Sequence, residues 1–479
     1  MEIEIINDNK FMVQKKAFSG MNTDVVIYSN KQMIERMKLD KTLIQASNAA
    51  KLPGLVGNVM VMPDGHEGYG FPIGGVMASD AENGIVSPGA VGFDINCSVR
   101  LIKTNIEEAE LRVNVENILD ELFKNVPSGV GSRMNLGLSQ KDLQKIAEHG
   151  VPYIIEKGFG IDEDVERIEE NGGMSGADFS KVSKEARSRG LNELGTLGAG
   201  NHFLEIQKVE SILDDKTAKA YGLYKGQIVI MVHTGSRGFG HQICSDYLKI
   251  LLEYQKKHNI VLPDPELGYA HVGSNEFYDY MGAMKCAVNY AFTNKQIITN
   301  SIRKSFENVF KKSSDALGMD VLYDLSHNIV KLEEHMVMGK KRKVYVHRKG
   351  ATRSFAAGRD EIPKKYRGVG QPVLIPGSMG TASYVLCGSD GAMEETFGSA
   401  CHGAGRVMSR HQALREIPAS KTFNSLSNKN ISIRIRTKKL VSEEAEWTYK
   451  DVDEVVKTVG NAGIAKAVAR NVPIAVVKG

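Results

Sequence analysis

No uninterrupted apolar run of about 18 residues occurs in the 479-residue sequence, which therefore offers no membrane-spanning helix. Ser/Pro-rich linkers, internal repeats and long charge blocks are also missing, so nothing divides the chain into independent modules. Cys97, Cys244, Cys286, Cys387 and Cys401 are an odd, scattered set without a Cys-x-x-Cys pair. That pattern argues against both a disulfide framework and a zinc ribbon. The opening Met1-Glu2-Ile3-Glu4 lacks the basic and apolar segments of a secretory signal, and a cytoplasmic protein is expected. Two nucleotide-handling motifs are absent as well. No Gly-Lys-Ser/Thr completes a P-loop, and no Lys-x-Asp-Gly of the lysine-adenylating ligases is present, so any nucleotidyl group transferred here is not expected on lysine.

What is present is the balance of a soluble globular chain, 42% hydrophobic and 25% charged. The net charge of +4 is small, but residues 340–353 carry Lys340, Lys341, Arg342, Lys343, Arg348, Lys349 and Arg353 with no acid. Those seven cations turn the rest of the chain to −3 and mark the stretch either as a solvated basic loop or as a candidate path for a polyanion backbone such as RNA. Helical periodicity over 31–51, 106–124, 242–258 and 276–312 interleaves with β-branched runs at 227–233, 343–347, 372–375, 431–436 and 473–477. The interleaving predicts an α/β or α+β fold, one large unit over 1–479 with mixed sheets flanked by helices and a helical excursion around 276–312.

Glycine, 48 residues, clusters at 65–75, 195–200, 235–240, 377–391 and 398–405, each cluster beside a polar or metal-binding side chain. Backbone free of Cβ atoms allows close approach to a ligand. Asp94 and Cys97 stand three apart in Val91-Gly92-Phe93-Asp94-Ile95-Asn96-Cys97, both of them metal-ligand types. Asn201, His202 and Glu205 follow Gly198-Ala199-Gly200, with Phe203-Leu204 entering a strand. A hydrophobic strand ends at His233 before Gly235-Ser236-Arg237, and His327 sits in Asp324-Leu325-Ser326-His327-Asn328. Each alone is as compatible with a structural turn; together they supply ligands for one or two divalent ions. His402, among Cys401, Gly403, Ala404 and Gly405 with Arg406 close by, has room for a bulky adduct, and a neutral imidazole can attack phosphorus. Pro376-Gly377-Ser378-Met379 opens a hydroxyl-lined loop able to donate N–H groups to phosphate.

In this order, and with Met62-Pro63-Asp64-Gly65-His66, Trp447-Thr448-Tyr449-Lys450-Asp451-Val452 and the terminal Val476-Val477-Lys478-Gly479, these blocks resemble the RtcB family of RNA-splicing ligases over essentially the whole chain. The resemblance implies GTP-dependent joining of an RNA 3′-phosphate or 2′,3′-cyclic phosphate to a 5′-hydroxyl, with two Mn²⁺ ions. It implies that Asp94, Cys97, His202, His233 and His327 hold the ions, with Cys97 as a bridge, and that His402 is the guanylylated nucleophile. Asn201, His202, Phe203, Leu204, Glu205, His327, Asn328, Pro376, Gly377, Ser378, Met379, Ser383, His402, Gly403, Ala404, Gly405 and Lys478 match guanylate-binding positions. The implied substrates are tRNA exon halves or other cleaved RNA, and an archease-like activator is a family partner. Donor chemistry pulls the other way on the metal, since thiolate and imidazole favour Zn²⁺ or Cu²⁺ over Mn²⁺.

Overall fold

Two large sheets organise the computed structural model, which describes residues 2–479. The seven-stranded sheet runs, edge to edge, through Glu4–Asn7, Lys10–Val13, Val25–Tyr28, Leu55–Tyr69, Phe71–Asp80, Lys340–Lys349 and Asn328–Val337. The other runs through Val321–Ser326, Ser98–Lys103, Ile228–Thr234, Phe203–Ile212, Ala465–Lys478, Ser383–Gly388 and Pro372–Ile375, with Ser432–Ile435 added parallel to Ala465–Lys478. The expected mixed fold of sheets flanked by helices is what forms. No helix among the described residues is long and apolar enough to cross a membrane.

Strand alternation sorts the core into layers. Leu204, Ile230 and Val477 face the helices Glu108–Asn125 and Asn275–Phe310, meeting Ile118, Leu122, Ile298 and Ile302. Phe203, Met231, Leu374 and Val385 share a core cluster on the opposite face. Val373, Ile375 and Leu386 pack with Met62, Val76 and Val346 of the seven-stranded sheet, so the two sheets meet through one shared core. Between them the short pair Ala351–Arg353 and Ser399–Cys401 carries the chain to His402.

Two sequence expectations change. Periodicity over 31–51 forms two helices, Lys31–Met37 and Thr42–Ala49, because Asp40 accepts from Thr42 N at 2.8 Å and starts a new turn beside exposed Leu39. The stretch around 276–312 forms one helix, Asn275–Phe310, but not an excursion: it is buried along most of its length. Its polar residues are satisfied from outside the helix. Asn289 Oδ1 accepts from Met174 N at 2.7 Å, and Asn294 Oδ1 from Gly195 N at 2.7 Å. Periodicity reports the apolar face only; here the polar face is buried under loops as well.

That helix also supplies an ionic brace. Arg100 Nε donates to Asp324 Oδ2 at 2.8 Å, Arg100 also reaches Gln296 and Thr299, and Lys295 Nζ lies 3.5 Å from Asp324 while donating to Ser98 Oγ. Arg100, Lys295 and Asp324 are all fully buried. A buried cation stripped of its counter-charge is strongly destabilising. Asp324→Ala should therefore lower stability by about 3–5 kcal/mol, read as a shift of the urea midpoint at unchanged slope. A loss below about 1 kcal/mol would show that the brace contributes little.

Candidate active site

Strand register places the histidines together. Val99 pairs with His233, His233 with Phe203, and Ser98 with both Thr234 and Ser326, so Cys97, His202, His233 and His327 emerge at one end of four neighbouring strands. His327 is the single residue between Val321–Ser326 of one sheet and Asn328–Val337 of the other, so it stands where the chain crosses between them. Cys97 Sγ lies 3.4 Å from His202 Nε2 and 3.3 Å from His233 Nε2. His233 Nε2 is 3.3 Å from His327 Nε2, and His202 Nε2 is 3.0 Å from Asp94 Oδ2. Two triads result, Asp94–Cys97–His202 and Cys97–His233–His327, and they share the sulfur.

These donors fit divalent cations. Burial drives His233 and His327 well below the ordinary imidazole range, leaving them neutral. His233 Nδ1 faces Asn201 O at 3.1 Å, which places the proton there and turns the Nε2 lone pair inward. Burial opposes the charge on Asp94, but the His202 hydrogen bond and the Arg237 charge outweigh it and hold the carboxyl at about 2. Asp94 Oδ1 accepts from Ser236 N at 3.0 Å, and a Cβ on Gly235 would come within 2.5 Å of that oxygen, so glycine is required there. Burial and then Asp94 push the Cys97 thiol well up. A thiol in that position becomes a thiolate when a cation takes its charge.

His402 faces this cluster, its ring centroid 4.9 Å from that of His327. Asp64 Oδ2 accepts from His402 Nδ1 at 2.5 Å, from His402 N at 3.0 Å and from Gly403 N at 3.3 Å. Burial works against the Asp64 charge, yet the imidazole and the hydrogen bonds from His402 keep its carboxyl below the usual range. An imidazole whose Nδ1 proton is held by a carboxylate presents its Nε2 lone pair outward as a nucleophile. Lys450 fixes the strand around Asp64 by donating to Pro63 O at 2.9 Å and Gly65 O at 2.5 Å, and burial brings it down to about 8. Gly405, at φ +75°, lets the backbone pass Asp64 O, which any Cβ would meet at 2.1 Å.

A cavity of about 150 Å³ opens beside His402. Asn201, Phe203, His233, Pro376, Gly377, Ser378, Met379, His402, Gly403, Ala404, Gly405 and Lys478 line it, together with His66, Arg406, Arg410, Glu444 and Tyr449. Glu205 and Ser383 lie one layer behind the lining, both nearly fully buried, with Ser383 Oγ accepting from lining residue Gly377 at 3.1 Å. Burial raises the Glu205 carboxyl to about 7. Asn328 points elsewhere, donating to Asp94 O at 3.0 Å and accepting from Gly350 N at 2.8 Å, so it braces the ligand loop. The Leu204 side chain is a correction. Strand alternation turns it into the opposite core with Ile230 and Val477, away from the cavity.

The basic stretch separates into two halves. Lys340, Lys341, Arg342 and Lys343 are exposed at a hairpin tip, seven to ten residues along the strand from Gly350 beside the site, and so about 23–33 Å away. Arg348, Lys349 and Arg353 are buried and are withdrawn as RNA contacts. Arg348 makes a two-pronged pair with Glu333 at 2.6 and 2.9 Å, Lys349 donates to Tyr69 O and Gly89 O, and Arg353 pairs with Glu169 and Glu170. Their partners are remote in sequence, so a run of charges reads as surface until the fold supplies the carboxylates.

A groove of about 1000 Å³ does open on Asp94 and His202 of one triad. Arg133, Arg189, Arg237, Arg410, Arg436 and Lys439 line it with Asp94, Asn201 and His202, against the further acids Glu193 and Glu443. These cations are dispersed along the chain and form no run, so no local signal marks them. Asp64 likewise escapes residue-by-residue reading. Its only signal is its place in Met62-Pro63-Asp64-Gly65-His66.

The family model described as tRNA-splicing ligase RtcB matches residues 45–479. A protein named tRNA-splicing ligase RtcB from Thermococcus kodakarensis is 52% identical over 453 residues, covering 95% of this chain and 94% of that one. Proteins of the same name from Pyrobaculum aerophilum and Archaeoglobus fulgidus are 49% identical over 480 residues and 48% over 474, covering 100% and 99% of this chain and 99% and 98% of their own.

Proposed function

The chain belongs to the RtcB family of tRNA-splicing ligases, and from that premise we propose that it joins RNA 3′-phosphate or 2′,3′-cyclic phosphate ends to 5′-hydroxyl ends through a guanylylated His402, in tRNA splicing and RNA repair. The observation that carries this reading is a carboxylate-held imidazole facing two ligand triads that share one sulfur. Divalent cations, Mn²⁺ in this reading, held at the two triads would polarise phosphoryl oxygens and offset their developing charge.

In the first step water opens a cyclic phosphate to the 3′-phosphate. His402 Nε2 then attacks the α-phosphorus of GTP, a P–N bond forms, the P–O bond to pyrophosphate breaks, and Asp64 holds the Nδ1 proton of the increasingly positive ring. Next an oxygen of the RNA 3′-phosphate attacks that phosphorus, the P–N bond breaks, and the imidazole returns to its Asp64-bound state. Finally the 5′-hydroxyl attacks the activated RNA phosphorus and expels GMP, its proton passing to solvent. Lys478 and the Pro376-Gly377-Ser378-Met379 and Gly403-Ala404-Gly405 segments line the cavity beside His402 and would bind the nucleotide in this reading. The arginine-lined groove that opens on His202 and Asp94 is the RNA path in this reading.

Four outcomes test it. Incubation with α-labelled GTP and Mn²⁺ should label His402, and His402→Ala should lose label and joining together; a labelled His402→Ala protein removes that residue from the role. Asp64→Asn should keep the fold and slow labelling by about 10²–10⁴-fold. After dialysis against Mn²⁺, elemental analysis should find two ions per wild-type chain, one in His202→Ala and neither tightly held in Cys97→Ala, because only Cys97 serves both triads; equal losses in the two variants would refute a shared sulfur. For the groove, Arg436→Ala and Lys439→Ala should each weaken RNA binding and lower the slope of log K against log salt by about 1, whereas an unchanged slope would move the RNA path elsewhere.

A further inference from the structure

Glu205 and Gln207 interrupt an otherwise apolar row. Phe203, Glu205, Gln207 and Val209 share one face of their strand, where Phe203 and Val209 join a core that includes Met231 and Val385. Gln207 is fully buried and Glu205 nearly so. The Gln207 amide spends both of its protons there: Nε2 donates to Glu205 Oε2 at 2.6 Å and to Ser383 Oγ at 3.0 Å. Its Oε1 faces Asn471 Nδ2 at 3.5 Å, which fixes the amide's orientation.

The consequence falls on Ser383. Its oxygen accepts from Gln207 and also from Gly377 N at 3.1 Å, so both acceptor positions are filled, and its hydroxyl proton goes to no acceptor among the described residues. A hydroxyl ordinarily donates or accepts as its surroundings require. This one is left only donation. Glu205, with one oxygen on Gln207, keeps the other as an acceptor in its ionised form, which the Gln207 hydrogen bond and the Lys478 charge favour against burial. Both groups adjoin the cavity wall, Ser383 through Gly377 and Glu205 through Phe203 two residues along the same face, with Lys478 paired across from Phe203.

We propose that Gln207 is a positioning residue that sets the purine specificity of the nucleotide step, by committing Ser383 to donate and Glu205 to accept. The inference rests on the guanylyl-transfer reading above. Guanine offers acceptors at O6 and N7 and donors at N1 and the 2-amino group, which matches a donor Ser383 and Lys478 beside an acceptor Glu205. Adenine carries an amine in place of O6 and no proton on N1, so it sets donor against donor and leaves the buried carboxylate unpaired. Unpaired buried polar groups are the strongest source of discrimination between similar ligands. Gln207 touches no reacting atom; it acts by holding the two groups in fixed polarity.

The test is adduct formation by the full-length chain with Mn²⁺ and α-labelled GTP, ITP or ATP. ITP lacks only the 2-amino group. Gln207→Met, which keeps the volume and removes the amide, should raise KM for GTP about tenfold while kcat changes little, and should reduce the preference for GTP over ITP and ATP by about tenfold or more. Adding Gln207→Met to Ser383→Ala should have a smaller effect than in the wild type, because the two act through one contact. If Gln207→Met does not fold, Gln207→Asn keeps the amide one methylene short of bridging both partners and is read by the same ratios. A folded variant that retains wild-type selectivity, or that loses kcat equally for all three nucleotides, overturns the proposal while leaving guanylyl transfer intact. A wild-type chain that forms no adduct with any of the three overturns the parent reading and this one with it.

Discussion

The sulfur of Cys97 lies within 3.4 Å of two imidazole nitrogens, and one of those nitrogens lies 3.3 Å from a third imidazole. Lone pairs that converge in a buried space repel one another unless a proton or a cation stands between them. Burial makes protonation of His233 and His327 costly, and the arrangement suits a metal ion, for which Cys97 would give up its proton. The fold holds these donors together from behind. Ser98, next to Cys97, is bonded by Lys295, and Asp324 ties Lys295 and Arg100 into the same buried network. A charged network of this kind is poor value as stability alone, but it fixes geometry. Its position directly behind the shared ligand is where fixed geometry matters.

Topology explains why one site can draw on residues from 64 to 478. The sheets meet through a shared apolar core, and His327 lies at the one-residue crossing between them. Asp64 comes from the seven-stranded sheet, Cys97 and His233 from the other, and His402 from the end of the short pair that joins them. His402 and Asp64 therefore sit on one side of the junction and most of the candidate metal donors on the other. Rigid strand ends rather than long loops set the spacing, which is what in-line phosphoryl transfer requires of its reacting groups.

Legibility in the sequence followed residue type. Asp94, Cys97, His202, His233, His327 and His402 stood out because cysteine and histidine beside glycine are uncommon, and the structure gathers them in one place. The strand ending at His233 was legible because a continuous buried strand reads as an unbroken apolar run. Asp64 was opaque: an aspartate in a strand looks like any other until His402, 338 positions away, is brought to it. Arg348 misled for the opposite reason, since its neighbours in sequence are basic while its true partner, Glu333, lies on the adjacent strand of the hairpin, four positions from Ile329, which pairs with Arg348. Leu204 shows the limit of carrying a contiguous block of residues into a site, because adjacent strand residues face opposite ways. Burial and long-range pairing are properties of the fold, and a local pattern does not contain them.

Charge balance links the nucleotide cavity to the groove. Glu444 is the single carboxylate shared by Arg406 at 3.1 Å, Arg410 at 3.6 Å and Lys478 at 3.7 Å, and the Tyr449 hydroxyl also donates to it. One negative charge against three positive ones leaves two in surplus at the cavity mouth, and a polyanion arriving there meets cations already held in place, with Lys478 and Arg406 largely buried. Preorganised charge of this kind acts without the reorganisation that water would need. Arg410 lines both the cavity and the groove, so the side chain that helps set the potential for a nucleotide also faces the space assigned to RNA. The two substrates are anions competing for overlapping positive charge. In the proposed reaction, transfer of the guanylyl group to His402 with loss of pyrophosphate would remove negative charge from the cavity before the RNA 3′-phosphate has to enter, which would give the covalent step an electrostatic reason to come first.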